Sequence, residues 1–187
     1  RRRAPKMFFD YVESGSYTEQ TFRDNTTDFA DIRLRQKVAV DMLGRSTEST
    51  MIGHKVAMPV ALAPVGMAGM QSADGEIKAA RAAEAFGVPF TLSTMSICSI
   101  EDIAAHTTQP FWFQLYVMKD EEFVASAIER AKKAGCSALV LTLDLQILAQ
   151  RHKDLKNDLT APPRLTVKNL LDLATKPHWV AGMAMTR

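Results

Sequence analysis

The chain is poor in the features that mark several functional classes. It has two cysteines in 187 residues, Cys98 and Cys136, too few and too scattered for a disulfide framework or a thiolate metal site. Its four histidines, His54, His106, His152 and His178, show no metal-ligand spacing. No apolar run reaches the roughly 18 residues that suggest a membrane span. A net charge of +2 points to neither a nucleic-acid nor an acidic partner. The GxGxxG and GxxxxGK[ST] phosphate fingerprints are missing. The opening Arg1-Arg2-Arg3 runs into Ala4-Pro5-Lys6 instead of an apolar stretch, which argues against a secretory or twin-arginine signal. A reduced, cytoplasmic setting is the expectation. The chain starts on Arg, as a trimmed or partial product would.

What is present is a regular alternation. Four short apolar runs, Val60-Ala-Leu-Ala-Pro64, Pro89-Phe-Thr-Leu-Ser93, Phe111-Trp-Phe-Gln-Leu-Tyr116 and Ala138-Leu-Val-Leu-Thr-Leu-Asp144, have helical patterns between them. Strands are expected over 60–63, 89–93, 111–116 and 138–143, the last buried on both faces. Asp74 and Gly87 read as the cap and stop of an Ala-rich helix. Ser99-Ile-Glu-Asp102 has capping-box spacing, and Asp120 and Gly135 bound a further helix. Residues 5–13 and 17–29 read as two N-terminal helices, and 51–56 as a small hairpin. After Arg151 the repeat breaks. Pro162-Pro163 interrupts the chain, and Val167 to Thr175 looks amphipathic. Run starts at 60, 89, 111 and 138 imply roughly 200 residues or more for eight units, near the ~250 of a (β/α)8 barrel. A doubly wound sheet of four or five strands fits the spacing equally well.

The run ends carry the polar residues, and strand C-termini are where such folds place their chemistry. Gln114 and Tyr116 are two apart and share a face. Gln supplies a donor and an acceptor suited to the polar edge of a planar ring; satisfied side chains in a packed layer are the plain alternative. Thr142 and Asp144 repeat the arrangement. A strand-end carboxylate can hold an imidazolium or cap the next segment. Arg151 suits a carboxylate, although Gln150-Arg-His-Lys-Asp also reads as a solvated loop. Tyr11 alone reads as a core aromatic. The small residues of Gly66-Met-Ala-Gly69 would let backbone approach a flat ligand. No histidine follows a strand in a way that nominates a base.

As a set, these segments resemble the FMN-dependent α-hydroxy-acid oxidases and dehydrogenases. The matching residues are Pro5-Lys-Met-Phe-Phe-Asp-Tyr11 with Ser14-Gly15, Met58-Pro-Val-Ala-Leu-Ala-Pro64, Gly75-Glu76 before Ala79-Ala80-Arg81, Thr91-Leu-Ser93-Thr94, Phe113-Gln-Leu-Tyr116, Thr142-Leu-Asp144 and Gln150-Arg151 before Asp154-Leu-Lys-Asn157. The run 151–157 and the stretch from Lys168 look most like the bacterial L-lactate dehydrogenases of that family. Two positions depart from the family pattern: Ala149 where Gly is usual, and Met95 where some short-chain oxidases carry Trp.

The resemblance implies an α/β (β/α)8 barrel of which the first four βα units are present, with FMN at the C-terminal mouth. Residues 1–57 would be an N-terminal helical segment, 58–151 the βα units, and 152–187 the start of a long insertion. It implies backbone of Pro64, Val65 and Gly66 along the flavin, and Ser93, Gln114 and Thr142 bonded to its ring edge or ribityl chain. Tyr116 and Tyr11 would meet the substrate, Arg151 its carboxylate or the flavin, and Asp144 the catalytic histidine. The expected reaction is oxidation of an L-2-hydroxy acid, L-lactate first, to the 2-oxo acid. The electron acceptor stays open between quinone, cytochrome and oxygen. The family's catalytic histidine belongs to a second half, so this stretch alone is expected to be inactive. A homo-oligomeric parent is implied, and the apolar stretch 167–185 could meet the inner face of the cell membrane or act as a lid. A non-catalytic half-barrel that at most binds flavin, and another FMN barrel related to the isopentenyl-diphosphate or inosinate enzymes, are the alternatives.

Overall fold

The computed structural model describes residues 2–145, 147, 149–159 and 166–186, so the expected break at Pro162-Pro163 lies outside the described residues. The chain divides into two units, 46–146 with 185–187, and 1–45 with 147–184.

The first unit holds the βα repeat. A hairpin, β1 (Ser49–Met51) and β2 (His54–Val56), opens it. Then come α3 (Gly75–Phe86), β3 (Thr91–Leu92), α4 (Ile100–His106), β4 (Trp112–Tyr116), α5 (Glu121–Lys133) and β5 (Ala138–Thr142). The strands pair in parallel in the order β3-β4-β5, and Leu62 adds a parallel bridge to Phe90. Four chain segments thus lie side by side in sequence order. A doubly wound sheet would return its fourth strand to the first strand's other edge. The helices also share one face. Ala80 and Ala83 of α3, Ile100 and Ile103 of α4, and Ala127 and Ala131 of α5 pack in one core with Leu92, Phe113 and Leu115. Both features are those of consecutive (β/α)8 barrel units, not of a sheet covered on both sides.

Local chemistry sets the helix ends. Ser99 Oγ accepts from Asp102 N at 3.0 Å while Asp102 Oδ2 accepts from Ser99 N at 2.9 Å, the capping box expected. Asp120 Oδ1 accepts from Phe123 N at 3.0 Å. Gly87 ends α3 at φ +82°, its N–H bonded to Ala83 O and Glu84 O, and Gly135 follows α5 at φ +73°. Left-handed backbone favours glycine at both stops.

Three expectations fail. Residues 60–63 form no strand beyond the Leu62 bridge, because Pro59 and Pro64 flank them and prolines cannot donate to a ladder. Asp74 occupies the cap position of α3 but is left-handed, φ 54°, and its side chain makes no capping bond. The third concerns β5, which is not buried on both faces: Leu139 and Leu141 are each 48% exposed. It is the sheet's edge strand, and these two leucines stand in register with Phe113 and Leu115 on the helix-side face.

The second unit is helical. It contains α1 (Lys6–Val12), α2 (Gln20–Thr27) with a 3-10 turn behind it, α6 (His152–Lys156), α7 (Val167–Ala174) and most of α8 (Pro177–Met185). Phe8 of α1 stacks on Trp179 of α8, with centroids 5.6 Å apart. Asn157 Nδ2 donates to Asp10 Oδ2 at 2.8 Å, tying the end of α6 to α1.

Candidate active site

The three strands of the sheet end in one polar array centred on Gln114. Period-two alternation turns Phe113 and Leu115 toward the helices and Gln114 to the opposite face. Gln114 is only 1% exposed, so its amide needs partners, and it has them on both neighbouring segments. Its Oε1 accepts from Ser93 Oγ at 3.3 Å and from Thr94 N at 3.1 Å. Its Nε2 donates to Thr142 Oγ1 at 2.8 Å. Ser93 Oγ also accepts from Met95 N at 3.1 Å, which fixes the turn after β3. Ser93, Gln114 and Thr142 are therefore brought together by direct bonds.

Thr94 is a residue to which sequence reading gave no role. Its hydroxyl donates to the Gln114 carbonyl oxygen and accepts from Tyr116 N at 3.1 Å, bridging β4 where β3 has already ended. Its sequence signal is its place at the end of the matching Thr91-Leu-Ser93-Thr94 segment, directly after Ser93.

Beside the array lies an open hollow of about 530 Å³, lined by Met95, Tyr116, Val117, Met118, Thr142, Leu143 and Leu145. Tyr116 and Thr142 supply hydroxyls to otherwise apolar walls. Asp144 is exposed two residues past β5 and is not among the lining residues. Pro64 and Val65 are exposed and Gly66 is partly buried. Their loop is held to the turn after β3 by Met67 N donating to Met95 O at 2.8 Å. Gly69 has a different reason from ligand approach: a Cβ there would lie 2.7 Å from Ile97 Cβ and 2.9 Å from Glu76 Oε2. Close packing inside the protein requires that glycine.

Tyr11 and Arg151 meet in the helical unit. The Arg151 guanidinium sits 4.7 Å from the Tyr11 ring centroid, at cation–π distance. Its Nη2 donates to the Tyr11 carbonyl and to Ser14 Oγ, the latter at 3.2 Å, and its Nε donates to Asp154 Oδ2 at 2.6 Å. Burial pushes the Asp154 carboxyl above its ordinary value, against the pull of Arg151. Arg151 is thus a braced side chain and not part of a solvated loop.

The array suits a flat heteroaromatic ring with a polar edge. Gln114 Nε2 carries a second N–H and the Thr142 hydroxyl its own proton, donors matched to ring carbonyls and nitrogens. The mixed apolar and hydroxylic walls match the ring's faces. No group of three or more metal-ligating side chains occurs among the described residues.

Comparison with known proteins agrees with this chemistry. A family model for FMN-dependent dehydrogenases matches residues 1–187. The chain is similar to the L-lactate dehydrogenase of Pectobacterium atrosepticum, with 46% identity over 179 residues, 96% of this chain and 46% of that protein. It is also similar to the L-lactate dehydrogenase of Vibrio cholerae, with 45% identity, 96% of this chain and 47% of that one. Among solved structures, the monotopic membrane protein (S)-mandelate dehydrogenase superposes with a TM-score of 0.91 at 34% identity, over 100% of this chain and 50% of that one. The chain spans about half the length of the curated relatives it matches.

Proposed function

The chain belongs to the family of FMN-dependent dehydrogenases, and from that premise we propose that it is the N-terminal part of an enzyme that oxidises a small L-2-hydroxy acid, L-lactate first, to the 2-oxo acid. The observation that carries this reading is the buried Gln114 amide, which joins Ser93 and Thr142 at the lip of an open, largely apolar hollow. In sequence, the proposed division is an N-terminal helical segment (1–57), four βα units (58–151) and the start of an insertion (152–187).

Bound FMN supplies a two-electron acceptor for the substrate's α-carbon. This chain's residues do the holding and orienting. Gln114, by its second N–H, and Thr142, by its hydroxyl, donate to the ring edge or ribityl chain, and Ser93 Oγ accepts from it. The backbone of Pro64, Val65 and Gly66 runs alongside. Tyr116 offers its hydroxyl to the substrate, and Tyr11 contributes a second phenol. Arg151 meets the carboxylate or the flavin. With Nε and Nη2 already engaged, it has Nη1 left for that contact, which makes it an anchored point charge more than a two-pronged fork. Asp144 is assigned to pair with an imidazolium. By resemblance to the family, that imidazole is expected from the part of the protein that this chain, spanning about half the length of its relatives, does not include. Catalysis is therefore proposed for the full-length protein and not for these 187 residues alone.

The apolar surface of α7 and α8 supports a peripheral membrane contact at the inner face of the cell membrane. Val167, Leu171 and Met185 are 74%, 66% and 82% exposed. No described helix is long and apolar enough to cross a membrane, so the contact proposed is a surface one.

The test is an assay of the complete protein with FMN, L-lactate and a dye acceptor. Dye reduction matched by pyruvate is expected, and no oxidation of any small L-2-hydroxy acid would overturn the proposal. The 187-residue chain assayed alone is expected to give no turnover.

A further inference from the structure

Glu76 is a carboxylate buried at 2% exposure on the first turn of α3. Burying a carboxylate costs far more than burying an apolar side chain of similar size, so packing alone does not account for it. Its contacts do. Oε1 accepts from Gly69 N at 2.9 Å and from Ile97 N at 3.0 Å. One oxygen thus clasps two loops: the one after the first apolar run and the one after β3. Oε2 has no hydrogen-bond partner of good geometry among the described residues. The Cys98 thiol lies beside the carboxylate, and burial, with that neighbour adding to it, pushes the thiol up to about 11.

The surroundings leave the clasp little freedom. A Cβ at Gly69 would press on Ile97 and on Glu76 Oε2, and one at Gly75 would lie 2.4 Å from Ala68 O. Both clasped loops run directly from residues assigned above to FMN. Gly69 follows Pro64, Val65 and Gly66, and Ile97 follows Ser93.

We propose that Glu76 is a positioning residue for FMN: its carboxylate holds the two loops at the spacing the flavin requires, without touching the flavin. This rests on the flavoenzyme reading above. Glu76→Ala removes the clasp. Glu76→Gln keeps one oxygen for both N–H groups, and Glu76→Asp shortens the reach.

The experiment measures FMN dissociation constants of the full-length apoproteins by quenching of free FMN fluorescence, together with thermal melts. Glu84→Ala serves as a matched lesion. Glu84 Oε1 accepts three bonds from Thr108 and Gln109 at the opposite ends of the strands. Glu76→Ala is expected to weaken FMN binding tenfold or more, Glu76→Gln less than threefold, and Glu84→Ala to lower the melting temperature with FMN affinity unchanged. If Glu76→Ala yields no soluble protein, Glu76→Asp carries the test, with an expected loss of threefold or more. Glu76→Ala, or Glu76→Asp where it carries the test, binding FMN like the wild type would overturn the proposal alone. Equal loss in Glu84→Ala would also overturn it, reducing Glu76 to a stability effect. A wild-type protein that takes up no FMN would overturn the flavoenzyme reading and this inference with it.

Discussion

Arg130 grips Glu101 with two donors, Nε at 2.7 Å and Nη2 at 2.6 Å, across α4 and α5. The hydrogen bond from that guanidinium holds the Glu101 carboxyl down to about 2. Because the folded value lies below the ordinary 4.5, the unfolded chain binds the proton more readily. The stabilisation is in place above pH 4.5 and is lost as pH falls toward 2. Both side chains are largely exposed, which limits the pair to about 0.2–1 kcal/mol. Glu101→Gln in the full-length protein is expected to lose that much in denaturant melts at pH 7 and progressively less as pH falls from 4.5 through about 2; a penalty that does not shrink over that range would contradict the assignment. At this scale the face taken by Gln114 was legible because a strand's period of two assigns faces without coordinates; that it bonds Ser93 and Thr142 was not. Glu76 was not: its partners, Gly69 and Ile97, lie 7 and 21 residues away, and nothing local distinguishes it from a solvated first-turn glutamate.

Helix ends are local events, and the sequence announces most of them. The capping box of α4 needs only residues 99–102, and the α5 cap only 120–123. Ser99→Ala should therefore cost about 1 kcal/mol, read as a lower denaturant midpoint at unchanged slope; no measurable change would show that solvent replaces the cap. Asp74 shows where local reading stops. Its backbone is left-handed, and the next residue, Gly75, lies against the 68–70 turn, where a Cβ would stand 2.4 Å from Ala68 O; no residue-type pattern announced that close approach. The first apolar run failed as a strand for a reason that was visible, its two prolines, and its single bridge to Phe90 could be found only once the neighbouring segment was in place.

For the whole molecule, the edge strand matters most. Leu139, Leu141 and Leu143 are 48%, 48% and 73% exposed, and each Å² of apolar surface left in water forgoes about 25 cal/mol. The 187-residue chain in isolation is expected to self-associate through this face, giving light-scattering masses above 20.7 kDa that rise with concentration. A monodisperse monomer with a cooperative melt would refute this. The alternation of runs and helices, the helix stops, the polar strand ends and the flavoenzyme family were all determined by the sequence alone, because each depends on residue order over a few turns or on a pattern spread along the chain. Only the tertiary structure decided that four segments lie in consecutive order with their helices on one side. It also decided that Gln114 is the bonded hub, that Thr94 and Glu76 brace the loops around it, and that Asp144 stands outside the hollow. The bonds behind them join side chains to backbone groups up to 20 residues or more away, and no local pattern encodes such meetings.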